Sequence, residues 1–216
     1  DTLYSIAFAS GLNVAELAAW NGLQQDDKIL VGQKVRLTKP LGFKAQPQQK
    51  VIGAASPDKK TARPSGEKVV TSVKTVPAKS APKPKTKPSV SAASKLLWQW
   101  PTVGRVVKTF SIAKGQKGID IAGKPGQEVK ASAAGKVVYA GNGLRGYGNL
   151  VIVKHNDDYL SAYAHNSQMF VKEGKFVAKG QRISAMGVAN SGKTVLHFEI
   201  RLQGKPVNPT KYLPKR

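Results

Sequence analysis

The chain contains no cysteine, which excludes disulfides, thiolate metal sites and cysteine nucleophiles. Acidic side chains are scarce: 12 Asp and Glu stand against 35 Lys and Arg, a formal net charge of +23. An imbalance that large implies an anionic partner or surroundings, and nucleic acid, acidic membrane and acidic cell-wall polymer all satisfy it. No apolar run is long enough to span a bilayer, and no signal peptide is visible. The chain opens at Asp1-Thr2-Leu3-Tyr4, without Met and in mid-motif, so an export signal or lipid anchor is expected to have preceded it. Histidine is rare as well, and all three, His155, His165 and His197, fall in the C-terminal segment.

Three segments follow from composition. In residues 1–38, Thr2 can cap a short helix with Leu3, Ile6 and Ala7 on its apolar face, and Gly11 stops it. Asn13 caps a second helix carrying Val14, Leu17, Ala18 and Trp20, which Asn21-Gly22 ends. Ile29, Val31, Val35 and Leu37 alternate around Gly32-Gln33, which predicts a turn into a strand. A core this small is marginal alone. Residues 39–95 are rich in Pro, Lys, Ser, Thr and Ala, as in Ala81-Pro82-Lys83-Pro84-Lys85. Such a stretch cannot build a core and reads as a disordered, extended basic tether. With one aromatic, Phe43, and one Arg, Arg63, it is too poor in the interleaved aromatics and Arg that nucleic-acid reading needs, so no nucleic-acid partner is expected. Residues 96–216 are strand-rich, with β-prone runs at 103–110, 135–140, 150–155, 159–165, 182–187 and 196–201 separated by glycines. The fold class is therefore mainly β, with an antiparallel sandwich or partly open barrel at the C-terminus.

The first segment resembles the LysM module. The phrases that carry the likeness are Asp1-Thr2-Leu3-Tyr4-Ser5-Ile6-Ala7, Leu17-Ala18-Ala19-Trp20-Asn21-Gly22-Leu23 and Ile29-Leu30-Val31-Gly32-Gln33. The resemblance implies two helices against a two-stranded sheet, here without its first strand, and a shallow groove for N-acetylglucosamine-containing glycans. The groove would involve Asp1, Thr2, Leu3, Asn21, Gly22, Leu23 and Ile29. Taken one at a time, Leu3, Leu23 and Ile29 are better explained as core residues of a small module.

A catalytic zinc ion needs about three His, Asp or Glu ligands and an open position for water. The residues alone offer Asp120, His165 and His197, while His155 follows a strand and could equally be a surface residue. The segment also resembles LytM or lysostaphin-type peptidases, through Gly118-Ile119-Asp120-Ile121-Ala122, Tyr147-Gly148-Asn149, Tyr163-Ala164-His165 and Leu196-His197-Phe198-Glu199-Ile200-Arg201, among other phrases. That family cuts peptidoglycan with zinc held by the His and Asp of a His-x-x-x-Asp phrase and the last His of a His-x-His phrase. The corresponding positions here hold Gln116, Asp120 and His197, and the first His of His-x-His is Val195. With His165 standing at the Tyr-x-His position, two of the family's five site positions therefore fail. An amide is a poor zinc ligand beside imidazole, and a valine moves no proton. The expectation is a domain without metal, cofactor or catalysis. Its former cleft, with Gln116, Asp120, Tyr147, Asn149, His165, Val195 and His197, would serve as a partner-binding groove.

Together the two modules and the tether resemble NlpD-type proteins. The resemblance implies peptidoglycan binding and activation of a periplasmic N-acetylmuramoyl-L-alanine amidase during daughter-cell separation. It also implies outer-membrane association through an N-terminal lipid anchor absent from this chain. An active zinc endopeptidase and a plain wall-binding structural protein are the alternatives.

Overall fold

Thr2 and Ser5 fix where the first helix begins. The Thr2 hydroxyl accepts the Ser5 N–H at 3.1 Å, and the Ser5 hydroxyl accepts the Thr2 N–H at 3.0 Å. This is a reciprocal capping box with Ser in the usual Glu position. In the computed structural model, which describes residues 2–27, 29–41 and 96–216, helix α1 accordingly spans Leu3–Ser10. It ends where Gly11 turns left-handed at φ 68°. Asn13 accepts the Ala15 N–H at 2.8 Å and starts α2, Val14–Trp20.

The strand expected within 29–37 does not form. Residues 29–41 enter no ladder, and Leu30 and Val31 lie exposed. No second strand runs beside this segment among the described residues, and a strand without a partner is unstable in water. Asn21 supplies part of what a partner would. Its side-chain amide donates to the Arg36 carbonyl at 2.9 Å and accepts the Arg36 N–H at 2.7 Å. The tether expected over 39–95 lies, from residue 42 onward, outside the described residues.

The rest of the described chain is antiparallel β-structure. The strands are β1 Val106–Lys108, β2 Ile119–Ala122, β3 Glu128–Lys130, β4 Gly135–Gly141, β5 Asn149–Lys154, β6 Tyr159–Met169, β7 Phe176–Val177, β8 Arg182–Met186, β9 Val195–Leu202 and β10 Lys205–Val207. Their spatial order is β1-β2-β9-β6-β5-β4-β7, with β10 on β9. The first half of β6 lies between β5 and β9. Its second half leaves them to pair with β8, which pairs with β3. The change of partner is a bulge where His165 takes φ 63°, a conformation rare without glycine. It needs Gly187 opposite, where a Cβ would lie 2.6 Å from the Ser167 nitrogen and 2.7 Å from the His165 carbonyl. The run expected at 103–110 shortens to three residues. Gly104, at φ 132°, packs its Cα side against the Ala122 carbonyl and bends the chain there.

Strand β5 explains the layering. Val151 and Val153 face a core shared with Ile119, Tyr163 and Phe198. Leu150 and Ile152 face the other way and pack with Leu3, Phe8 and Leu17 of the helices. Alternate residues point to opposite faces, so a strand apolar at four consecutive positions, 150–153, has both faces covered. Each such Leu, Ile or Phe contributes about 1.5–3 kcal/mol when buried. Two helices too small for a core of their own thus share the second face of the sheet. Polar contacts tie the seam: Lys136 pairs with Asp26 at 3.1 Å, and Lys154 donates to Gln25 at 2.9 Å.

Candidate functional site

Adjacent strands β2 and β9 place Asp120 directly opposite His197. The His197 Nδ1 lies 2.7 Å from Asp120 Oδ1. Gln116 arrives from a short loop that Ser111 closes by exchanging two backbone hydrogen bonds with it, both 2.9 Å. Its amide donates to the same Asp120 oxygen at 3.0 Å and lies 3.4 Å from His197 Nδ1. Lys108 on edge strand β1 reaches the other Asp120 oxygen at 3.3 Å.

The opposite edge of the His197 ring meets a second carboxylate. Nε2 lies 3.1 Å from Glu199 Oε1, which also accepts the Tyr147 hydroxyl at 2.9 Å. Arg201 Nε donates to Glu199 Oε2 at 2.9 Å. The Arg201 guanidinium donates as well to the Phe8 carbonyl and stacks 3.4 Å over the Phe8 ring. Residues 197, 199 and 201 share one face of β9 by the two-residue period. A buried polar line therefore runs from helix α1 to the floor of the cleft.

The charge states follow. Burial alone would lower the His197 pKa, but hydrogen bonds to Asp120 and Glu199 and their negative charges raise it to about 9. With a carboxylate at each nitrogen, the ring is an imidazolium donating from both. Burial would raise Glu199, but His197 and the Arg201 charge hold it down at about 2. Asp120 is likewise lowered against its burial, by His197, Gln116 and Lys108. Burial, with the Glu199 charge, raises Tyr147 and keeps the phenol protonated. Burial lowers His165, and the charge on His197 lowers it further.

Gln116, Asp120, Tyr147 and His197 thus converge. The His165 ring stands beside them, its centroid 6.1 Å from that of His197. Two of the expected groove residues lie differently. Val195 is buried in the sheet opposite Ala122. Asn149 spends its side chain on the Asn166 carbonyl at 2.9 Å, bracing the β5–β6 bulge. His155 is a core residue, so the surface alternative falls. Its Nδ1 lies 2.8 Å from the Ala134 carbonyl and its Nε2 2.7 Å from Ser161, and burial lowers its pKa to about 4. In the helical module, Leu3 is wholly buried and cannot touch a ligand. Thr2, Asn21, Leu23 and Ile29 are half-buried and Gly22 is exposed, while Asp1 lies outside the described residues. Sequence reasoning missed Glu199, Arg201 and Lys108 as site residues. The signal for the first two was their spacing of two and four from His197.

Zinc does not fit this donor set. Gln116 offers a neutral amide and Val195 nothing. Only Asp120 and a deprotonated His197 would be good ligands, short of the usual three.

Comparisons agree with this layout. The sequence model of the LysM domain matches residues 1–38, and that of Peptidase family M23 matches residues 114–209. The murein hydrolase activator NlpD of Salmonella dublin is 39% identical over 251 aligned residues, covering 100% of this chain and 67% of that protein. A lipoprotein NlpD/LppB homolog of Pseudomonas aeruginosa is 46% identical over 226 residues, covering 100% of this chain and 75% of that one. Among solved structures, a zinc containing peptidase from Vibrio cholerae superposes with a TM-score of 0.50 at 27% identity, covering 56% of this chain and 41% of that chain.

Proposed function

We propose, from the premise that this chain belongs to the NlpD family of murein hydrolase activators, that it binds peptidoglycan through its LysM module and switches on a periplasmic N-acetylmuramoyl-L-alanine amidase without cutting the wall itself. The supporting observation is the self-satisfied ion cluster of Gln116, Asp120, His197 and Glu199 at the position where an M23 peptidase would need its metal and water. A peptidase site must leave an open ligand position and a mobile proton. Here Asp120, His197 and Glu199 satisfy one another, which suits a rigid recognition surface. Both His197 nitrogens are taken by carboxylates, so the exposed charge at the rim of the cleft is the Lys108 ammonium, and its complement on a partner is an acceptor-rich loop or helix end. To invert a strongly biased autoinhibited equilibrium, the protein must prefer the partner's open form by about 5 kcal/mol.

The setting follows the family. Relatives named as a lipoprotein and as an outer membrane antigenic lipoprotein support a lipid anchor and a periplasmic, outer-membrane position, and the activator reading adds action at the division septum. No helix among the described residues is long and apolar enough to cross a membrane. Dye release from labelled sacculi tests the reading. The full chain should accelerate release by the amidase and cause none alone. An amidase rate that does not change on addition of the protein defeats it.

A further inference from the structure

The helical module and the polar cluster share one face of the sheet. Residues paired directly across antiparallel strands lie on the same face. Glu199 on β9 stands opposite Ala162 on β6, Ala162 opposite Ile152 on β5, and Ile152 opposite Tyr139 on β4. His197 stands opposite Ala164 on β6. Tyr139, Ile152, Ala162 and Ala164 pack in one core with Leu3, Phe8 and Leu17 of the helices. The helices therefore lie on the floor of the cleft that holds Asp120 and His197, and not on the back of the sheet. Only Tyr147 separates them from its centre: its ring is 5.4 Å from that of Phe8 and 6.0 Å from that of His197.

We propose that α1 and α2 are a displaceable occupant of the surface on which the hydrolase docks, so that module and partner compete for one face of the sheet. The inference rests on the activator reading above and adds how that activity is restrained.

The docked state hides most of the recognition surface. Side-chain exposure is 8% at Asp120, 13% at His197 and nil at Glu199. A stable interface takes about 800 Å² from each partner, and a floor this covered contributes almost nothing to it. With the helices gone, Leu150, Ile152, Ala162 and Ala164, now wholly buried, would join the polar cluster in one continuous surface. Apolar area beside charged groups that are already paired is the make-up of an interface core. Arg201 fits either occupant. It holds α1 through the main-chain carbonyl of Phe8, near the helix end, and unpaired carbonyls end every helix.

What holds the module is chiefly apolar area. The Lys136–Asp26 pair at the seam is open to solvent on both sides and contributes little. Residues 29–41 enter no ladder, so no strand pins the module to the sheet. The buried Leu3, Phe8 and Leu17 keep it docked in the free chain. A partner that covers the same face replaces that area, and it shifts the equilibrium by the difference in its affinity for the two forms.

A reversible lock tests the proposal. The chain has no cysteine, so Asp26→Cys with Lys136→Cys, across the seam, can be bridged by a bismaleimide whose spacer contains a disulfide. The bridged full chain should fail to accelerate dye release by the amidase, and cleaving the spacer with a phosphine before the assay should restore activation. Phe8→Ala loosens the module and should lower the concentration for half-maximal activation by about 5- to 150-fold, the usual span of coupling between two sites. A bridged chain that activates as well as its cleaved form would overturn the proposal and leave the activator reading standing. An amidase rate that stays unchanged with wild type, cleaved chain and Phe8→Ala alike would remove the activator reading, and the proposal with it.

Discussion

Two histidines with opposite shifts give this protein a stability maximum near pH 6.5. His155 is buried with a pKa of about 4, below its ordinary 6.5. Between those values the unfolded chain holds more protons, so stability rises with pH across pH 4–6.5. His197 has a pKa of about 9 against the same 6.5. Between pH 6.5 and 9 the folded chain holds more protons, so stability is full below pH 6.5 and falls as pH rises through 9. Each displacement corresponds to about 3 kcal/mol. The Glu199 shift to about 2 is largely the same interaction as that of His197 and is not added to it. It extends the acid limb, where stability drops as pH falls from the ordinary carboxylate range toward 2. A competing effect is the net charge of +23, whose self-repulsion eases on the alkaline side. Exposed charges are screened within about 8 Å at ~0.15 M salt, so the buried pair should dominate. Urea midpoints across the pH series, followed by fluorescence of Trp98 beside His155, supply the curve. His197→Gln should flatten the alkaline limb, keep the rise across pH 4–6.5 set by His155, and reduce the part of the acid limb that Glu199 contributes. A wild-type curve that is flat or rising from pH 6.5 to 9 would refute the charge assignment of the cluster.

Other perturbations follow from the same contacts. Arg201→Ala strands the Glu199 charge, both groups being essentially without solvent exposure, and should lower stability by about 3–5 kcal/mol in urea unfolding. Arg201→Met combined with Glu199→Gln should cost distinctly less. Phe8→Ala removes a buried ring from the seam and should cost about 3–5 kcal/mol. It should also expose the α1–α2 region to limited proteolysis before the β-structure is cut. Gln116→His with Val195→His restores the two missing imidazoles of the peptidase pattern. This double variant should gain stoichiometric zinc in metal analysis of the dialysed protein, where the wild type retains none.

Much of this was legible where local chemistry decides. Thr2, Asn13 and Gly11 announce helix boundaries because caps act within one turn, and both helices stand where those residues place them. The runs behind β5 and β9 are β-branched and apolar enough to be read directly. The identities of Gln116 and Val195 set the limits of the site without coordinates, since an amide and an isopropyl group carry their chemistry with them. Long-range pairing was not legible. The alternation around Val31 looked like a strand, but a strand exists only with a neighbour. His155 looked free because its partners, the Ala134 carbonyl and Ser161, are fixed by tertiary contact alone. The Phe8–Arg201 contact joins residues 193 apart, and no local pattern foretells it. Glu199 and Arg201 could have been found, because strand period puts them on the face of His197.

The most direct test of the cleft is nitrogen NMR of the His197 imidazole in the full chain at neutral pH, before and after equimolar zinc. With both ring nitrogens engaged by Asp120 and Glu199, His197 should remain a doubly protonated imidazolium in both spectra. Loss of the Nδ1 proton on adding zinc, with a shift to a metal-bound nitrogen and cleavage of sacculi by the protein alone, would contradict the account.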